Sequence, residues 1–199
     1  SVARLLVNGS YDESFHFNNE VGYKNWTVHS SCIDAGENIY IGGEIIVNEE
    51  SGECRPFIKL GVNGKISNDY IPEKLRNGSA VYAITERSNG RSIITGKFPE
   101  FYTKKTENIA RINTKTGSLD QSFDIGVGAD GKVNVVKNLS DGNSIVAGKF
   151  TSINNVGRNY IAKVSPFGEV LNFTSKVEGG EVTAVAEQAD GKIVIGGAF

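Results

Sequence analysis

The sequence has no methionine, and its 199 residues include only two cysteines, two histidines, one tryptophan and four prolines. Each scarcity removes a class of function. Cys32 and Cys54 form no C-x-x-C pair, so the usual spacings for zinc binding and thiol exchange are missing. His16 and His29 belong to no H-E-x-x-H or related ligand spacing, and no Ser–His–Asp or Cys–His set can be assembled from sequence. No apolar run approaches the roughly 18 residues of a membrane-spanning helix, so no membrane insertion is expected. The opening stretch SVARLLVNGSYDESF lacks the apolar centre and cleavage site of a signal peptide. Without methionine the sequence does not start at an initiator codon, and it is expected to be part of a longer gene product. Charge is also short in either sign: 21 basic against 23 acidic residues leave a net charge of −2, which offers nucleic acid no attracting field. The chain is therefore expected not to be an enzyme, with no catalytic residues, no metal site and no cofactor.

What the sequence does have is glycine, 24 residues of it, placed periodically. The phrases ENIYIGGEI, RSIITGKF, NSIVAGKF and KIVIGGAF align on Gly43, Gly96, Gly148 and Gly197, spaced by 53, 52 and 49 residues. A second phrase alternates with the first: VARLLVNGSYDESF, FIKLGVNGKISNDY, IARINTKTGSLDQSF and IAKVSPFGEVLNF. Its glycines Gly9, Gly64, Gly117 and Gly168 are spaced by 55, 53 and 51. Two independent phrases sharing one period identify a repeat of about 50 residues.

Each period reads as four strands. AVYAITER and EVTAVAEQ alternate in the manner of a first strand; the apolar glycine phrase is the second; IARI or IAKV is the third; the fourth follows the next glycine turn. Turns at Gly36, Gly90, Gly142 and Gly191, in the contexts DAGE, SNGR, SDGN and ADGK, predict two-residue hairpins between strands one and two. Four antiparallel strands per repeat and no helical period describe an all-β fold, a β-propeller of four-stranded blades, with a β-solenoid as the runner-up. The repeats run over about 1–15 (half), 26–70, 79–123, 131–174 and 181–199 (half), in a single propeller domain or part of a larger one. The first and last pieces are complementary halves of one blade; if they pair, a ring closes around four blades. The glycine-doublet strands are expected to line the central shaft.

Several residues have a structural and a functional reading. Cys32 on strand one and Cys54 on strand three are separated by two strand spacings, about 9.6 Å, beyond the roughly 7 Å a disulfide spans, so two free thiols are predicted. His29 is expected to be a packed side chain. The cations Arg4, Lys59, Arg111 and Lys163 share one register; they form a ring for an anion or, more simply, sit on exposed strand faces or pair with a neighbouring blade's carboxylate. The periodic aromatics Phe15, Tyr70, Phe123, Phe173, Phe98, Phe150 and Phe199 are expected as core between blades. Asp34, Asp141 and Asp190 are expected to form Asx turns, since the D-x-D-x-D-G ladder of a calcium loop is missing. The sequons at Asn8, Asn25, Asn77, Asn138 and Asn172 are what an Asn- and Ser-rich chain produces by chance.

The ordered set ADGKIVIGGAF, FTSINNVGRNYIAKV and GSLDQSF resembles the delta-60-repeat β-propeller family over nearly the whole chain, with the 26–70 repeat the most divergent. The resemblance implies a propeller of secreted or surface proteins of bacteria, or of phage tail-associated proteins, and hence an extracellular location; it implies no reaction. The expected function is a non-catalytic module that binds a protein or glycan partner, or spaces other modules or subunits, within a larger assembly. Binding is expected on the face carrying the long, varied loops 16–25, 47–53, 71–79 and 99–107, with Phe101, Tyr102, Lys104 and Lys105 as the contact cluster; the alternative is that these are plain solvated connections. The alternative functions are a carbohydrate-active enzyme, with Glu100, Glu107 and Asp124 as the nominable carboxylates, and a purely structural virion component.

Overall fold

The structure is a computed structural model and describes residues 2–17, 25–48, 53–67, 70, 75, 78–87, 89–101 and 105–199. No described residue is helical. The strands are β1 (Asn25–Ile33), β2 (Ile39–Asn48), β3 (Glu53–Cys54), β4 (Phe57–Leu60), β5 (Ala80–Arg87), β6 (Arg91–Lys97) and β7 (Ile109–Asn113). They continue with β8 (Val133–Asn138), β9 (Ser144–Gly148), β10 (Ser152–Ile153), β11 (Val156–Gly157), β12 (Ile161–Val164), β13 (Val182–Glu187) and β14 (Ile193–Gly197). Every pairing between them is antiparallel.

Three sheets repeat one plan: β1–β2–β4, β5–β6–β7 and β8–β9–β12, with β3 added along the far end of β2 and β13–β14 forming the start of another. The fold is an all-β propeller of antiparallel blades. The second strand, with a neighbour on both sides, is buried on both faces; β9 is buried throughout. This is why the glycine phrase is almost continuously apolar. Among the described residues the predicted fourth strand is reduced to one antiparallel bridge per repeat: Leu5 with Tyr11, Leu60 with Ile66, Ile112 with Leu119 and Val164 with Val170. In GSYDESF and GSLDQSF the side chains of Asp12 and Asp120 take the backbone N–H of Ser14 and Ser122, and these local bonds compete with the ladder.

The glycine-doublet strands do not line the shaft. β1, β5, β8 and β13, the first strands, pack on one another in succession from blade to blade, and the second strands lie one place outward. Each inner strand carries a bulge at one rung: the ladder passes from Val28 to Ser30, from Val81 to Ala83, from Val133 to Val135 and from Val182 to Ala184. The skipped residues are His29, Tyr82, Asn134 and Thr183. The bulge drives an inner-strand carbonyl against the second strand, so a Cβ on Gly96 would collide with the oxygen of Ala80 and one on Gly148 with that of Lys132.

The inner hairpins have three-residue loops, not two. Leu139 N–H donates to Asn143 O and Gly142 N–H to Leu139 O, with Gly142 left-handed at φ 84°. Gln188 and Gly191 repeat this pattern. In the first blade Asp34 takes the place of Leu139, and the left-handed residue is Glu37 at φ 61°, one beyond Gly36.

The core lies between blades. Tyr40, Cys54, Phe57 and Tyr70 of the first blade share one cluster with Ile94, Phe98, Ala110 and Ile112 of the second. Phe123 and Ile125, which follow the second blade, join Val133, Val146 and Phe150 of the third. The expected periodic aromatics are core, except that Phe173 is half-buried and Phe199 exposed.

Candidate functional site

Of the four residues expected to make contacts on the long-loop face, Phe101 is not available. It is fully buried, its ring stacked on Phe57 with centres 6.0 Å apart and edge-on to Phe98 at 5.9 Å. Lys105 is exposed. Tyr102 and Lys104 lie outside the described residues, as does most of loops 16–25, 49–52 and 71–77. In the third repeat the corresponding loop is an ordered hairpin, β10–β11, turned by Asn154 and Asn155 at φ 48° and 61°. Asp130 holds it down, accepting from the backbone N–H groups of Thr151 and Ser152 and from the Thr151 hydroxyl.

The opposite face carries a cleft of about 450 Å³ at the seam of the first two blades, a volume within the range of small-ligand sites. It is lined by the inner turn of the first blade (Asp34, Asn38), by Tyr40 and Lys59, and by Glu86, Asn89 and Lys115 of the second. Asp34 is committed to its turn: Oδ1 accepts from Gly36 N–H and Asn38 N–H at 2.9 Å each. Burial pushes its carboxyl up, but the Asn38, Tyr40 and Gly36 donors outweigh that and hold it below the usual range. The Tyr40 hydroxyl stands 2.9 Å from both Asp34 Oδ2 and Thr114 O, sharing its proton between the two blades. Lys59 Nζ lies 5.9 Å from the centre of the Tyr40 ring.

Glu86 differs. Burial, reinforced by the Asp34 charge, raises its carboxyl above the ordinary value, and no hydrogen bond to that carboxyl is found among the described residues. The repeat explains the vacancy. At the seam of the third blade and the C-terminal half-blade, the equivalent residue Glu187 accepts from Ser140 N–H at 2.9 Å and Ser140 Oγ at 2.7 Å. The turn geometry that matches Asp34 to Leu139 matches Ser140 to Ala35, which has no hydroxyl. The bond that closes one seam is missing a partner at the other, and a half-buried carboxylate faces the cleft instead.

The carboxylates expected for the enzyme alternative do not gather here: Glu100, Glu107 and Asp124 are outside the cleft. Three of the four register cations form ion pairs, each within its own repeat rather than with a neighbouring blade. Arg4 Nε meets Asp12 at 2.7 Å, Arg111 Nε meets Asp120 at 2.8 Å and Lys163 Nζ meets Asp141 at 2.6 Å. Arg111 is buried, not on an exposed face. Its Nη1 donates to the carbonyl of Pro166 in the next blade, and the guanidinium lies 5.0 Å from the centre of the Phe123 ring. Burial pushes the Asp120 carboxyl up, but the Ser122 hydrogen bonds and the Arg111 charge outweigh it and keep it low. Asp34, Asp141 and Asp190 form the expected Asx turns. Neither cysteine is in a disulfide, and the Cys54 thiol donates to Leu75 O at 3.2 Å; Cys32 stands opposite Tyr40 and Cys54 opposite Ile46, so they are also offset along β2. His29 packs edge-on against Tyr82 at 5.1 Å.

The family described as "Domain of unknown function (DUF5122) beta-propeller" matches residues 139–170 and 188–199, which are parts of the third blade and the C-terminal half-blade. No curated protein matches the chain. Among solved structures, the WD40 β-propeller domain of Doa1 is similar with a TM-score of 0.54 at 13% identity, over 86% of this chain and 48% of that one. The extracellular domain of BT4673 from B. thetaiotaomicron is similar with a TM-score of 0.52 at 17% identity, over 93% of this chain and 23% of that one. The chain thus spans about half of the first and less than a quarter of the second. At these identities the likeness concerns the fold, and with the blade geometry it makes this chain a repeat-built β-propeller.

Proposed function

We propose that the chain is a non-catalytic propeller scaffold, part of a protein displayed outside the cell, whose inter-blade cleft binds a neutral polyhydroxylated ligand such as a glycan. The carrying observation is Glu86, a carboxylate facing a polar cleft without the seryl partner its equivalent Glu187 enjoys. A half-buried carboxylate with no protein donor is an acceptor that a ligand hydroxyl can satisfy. Asp34 and Glu86 in the lining are balanced by Lys59 and Lys115, a mixture that favours alternating donors and acceptors over a ligand of strong charge. The extracellular setting is supported by the likeness to the BT4673 extracellular domain and by the resemblance of the repeat phrases to those of surface propellers.

A glycan array followed by titration calorimetry tests the reading. Glu86→Gln is expected to weaken the best binder by about 10-fold, the loss of one charge-assisted hydrogen bond. Lys105→Ala and Tyr102→Ala on the long-loop face are expected to leave it unchanged. Binding that survives Glu86→Gln but falls with Tyr102→Ala or Lys105→Ala places the partner on the long-loop face instead. A second reading has one observation in its favour: Asp34 is held low and Glu86 raised across the same cleft, the division of roles used by paired carboxylates in glycoside hydrolysis. Release of chromophore from aryl glycosides, abolished by Glu86→Gln, would establish it; no turnover with retained binding supports the scaffold.

A further inference from the structure

Glu187 is satisfied by a single serine through both of its carboxylate oxygens. Ser140 N–H donates to Oε2 at 2.9 Å and the Ser140 hydroxyl to Oε1 at 2.7 Å. These donors sit on neighbouring carbons, Cα and Cβ, and the nitrogen is acylated by the preceding residue. What Glu187 recognises is thus an N-acyl amino alcohol, the unit N–C–C–O. Glu86 occupies the same place in the second blade: it lies opposite Ser92 as Glu187 lies opposite Ile193. Ala35 lines the cleft where Ser140 would stand, and no donor reaches the Glu86 carboxyl among the described residues.

The same cleft holds a second group without its usual partner. Arg4, Arg111 and Lys163 are paired with Asp12, Asp120 and Asp141. In the first blade Ser67 stands where Asp12 and Asp120 do, its N–H donating to Lys59 O as that of Asp120 donates to Arg111 O. Gly36 stands in place of Asp141. No carboxylate pairs with Lys59 among the described residues, and Lys59 lines the cleft with Glu86. An ammonium has donors only and a carboxylate acceptors only. The two open groups therefore call for a ligand with an acceptor for Lys59 and donors for Glu86.

We propose, on the reading of the cleft as a glycan site, that the sugar it selects is an N-acetylhexosamine. Such a sugar carries an amide N–H on C2 and a hydroxyl on C3, the N–C–C–O unit that Ser140 presents to Glu187. Both atoms donate to the Glu86 carboxylate, and the acyl carbonyl is an uncharged acceptor for Lys59. A plain hexose diol can also donate twice to Glu86, but it leaves Lys59 only hydroxyl oxygens; the acetamido group serves both residues. The ligand is neutral, in keeping with a lining that sets Asp34 and Glu86 against Lys59 and Lys115.

Titration calorimetry of the 199-residue chain with the methyl glycosides of N-acetylglucosamine and glucose, and with N-acetylserinamide, tests the proposal. The N-acetylglucosaminide is expected to bind about 10-fold more tightly than the glucoside, and Glu86→Gln and Lys59→Met are each expected to shrink that preference. Ala35→Ser gives Glu86 the partner that Glu187 has. Without ligand its Tm is expected to rise by about 2–4 °C, and its affinity for the N-acetylglucosaminide to fall by about 10-fold. A glucoside that binds as tightly as the N-acetylglucosaminide, with both weakened by Glu86→Gln, overturns the proposal and leaves the cleft a glycan site. Binding of neither sugar, or binding indifferent to Glu86→Gln, overturns both. Full affinity in Ala35→Ser also refutes the match to Ser140. Tighter binding of N-acetylserinamide than of either sugar rules out the hexosamine, since the same unit is then read on a peptide.

Discussion

Replacing Arg111 by alanine is expected to be among the costliest single substitutions in the protein. The guanidinium side chain is 3% exposed and spends its donors in three directions. Nε donates to Asp120 at 2.8 Å, Nη2 to Ser122 Oγ at 2.9 Å, and Nη1 to the Pro166 carbonyl across the seam. Truncation leaves the Pro166 carbonyl unbonded and removes the stem packed on Phe123. Breaking a buried ion pair by removing one partner costs about 3–5 kcal/mol. Here the loss is softened, because Arg91 still reaches Asp120 at 3.0 Å and Ser122 still donates to it. About 3 kcal/mol is therefore expected, or a fall in Tm of about 6–12 °C for a chain of this size. Arg111→Lys keeps the charge but not the fork, and should lose about half as much. Arg4→Ala is the control: Arg4 makes the same bonds to Asp12, Ser14 and a neighbouring carbonyl, but its side chain is 39% exposed. Urea unfolding monitored by circular dichroism gives the comparison. A loss below about 1 kcal/mol for Arg111→Ala, or one no larger than that for Arg4→Ala, would refute the assignment of seam stability to the buried fork.

Other substitutions probe the remaining architecture. Tyr70→Phe is expected to raise stability by about 1 kcal/mol, because the buried Tyr70 hydroxyl finds no partner among the described residues; a loss of stability in urea unfolding would show a bond that the fold conceals. Gly148→Ala should destabilise by about 1–3 kcal/mol through collision with the Lys132 carbonyl, whereas Gly157→Ala, with open space around it, should lose no more than a small fraction of that. Acid should weaken the fold: Asp12 is held at about 2 chiefly by Ser14 and Asp141 at about 2 chiefly by Lys163. A depressed folded-state pKa contributes stability above the unfolded value near 4 and loses it as pH falls towards 2, so Tm measured from pH 5 to 2 should drop most within that window. Neither thiol should react quickly with a disulfide reagent at pH 8, since Cys54 is buried and burial, followed by Glu86 and Asp34, pushes Cys32 up to about 12; rapid labelling of one equivalent in the folded protein contradicts this.

Period, blade and strand order were legible in the sequence because they depend on what repeats. The apolar glycine phrase marked the doubly buried second strand, and the alternating phrases around Ala80 and Glu181 marked the first. What escaped depends on single residues out of register. The identity of the inner strand turns on bulges at His29, Tyr82, Asn134 and Thr183, and four unlike residues leave no shared signal. Phe101 sits in a loop of polar neighbours, so sequence places it at the surface, while its ring packs inward, stacked on Phe57 and edge-on to Phe98. The cleft was hidden by one position. Aligning Gly36 with Gly142 sets Asp34 against Ser140; the left-handed turn at Glu37 moves the frame by one residue and brings Ala35 there instead. Only then does the missing partner of Glu86 become visible.

The fork of Arg111 has a consequence for how such repeats change over time. Its partner in the next blade is the carbonyl of Pro166, and that of Arg4 is the carbonyl of Val62 at 2.6 Å. A main-chain oxygen is present whatever amino acid occupies the site. The receiving blade can thus drift in sequence while the latch holds, provided its turn keeps shape. The blade at 26–70 has done this: it is the most altered of the repeats in wording, and still offers the same atom to its neighbour.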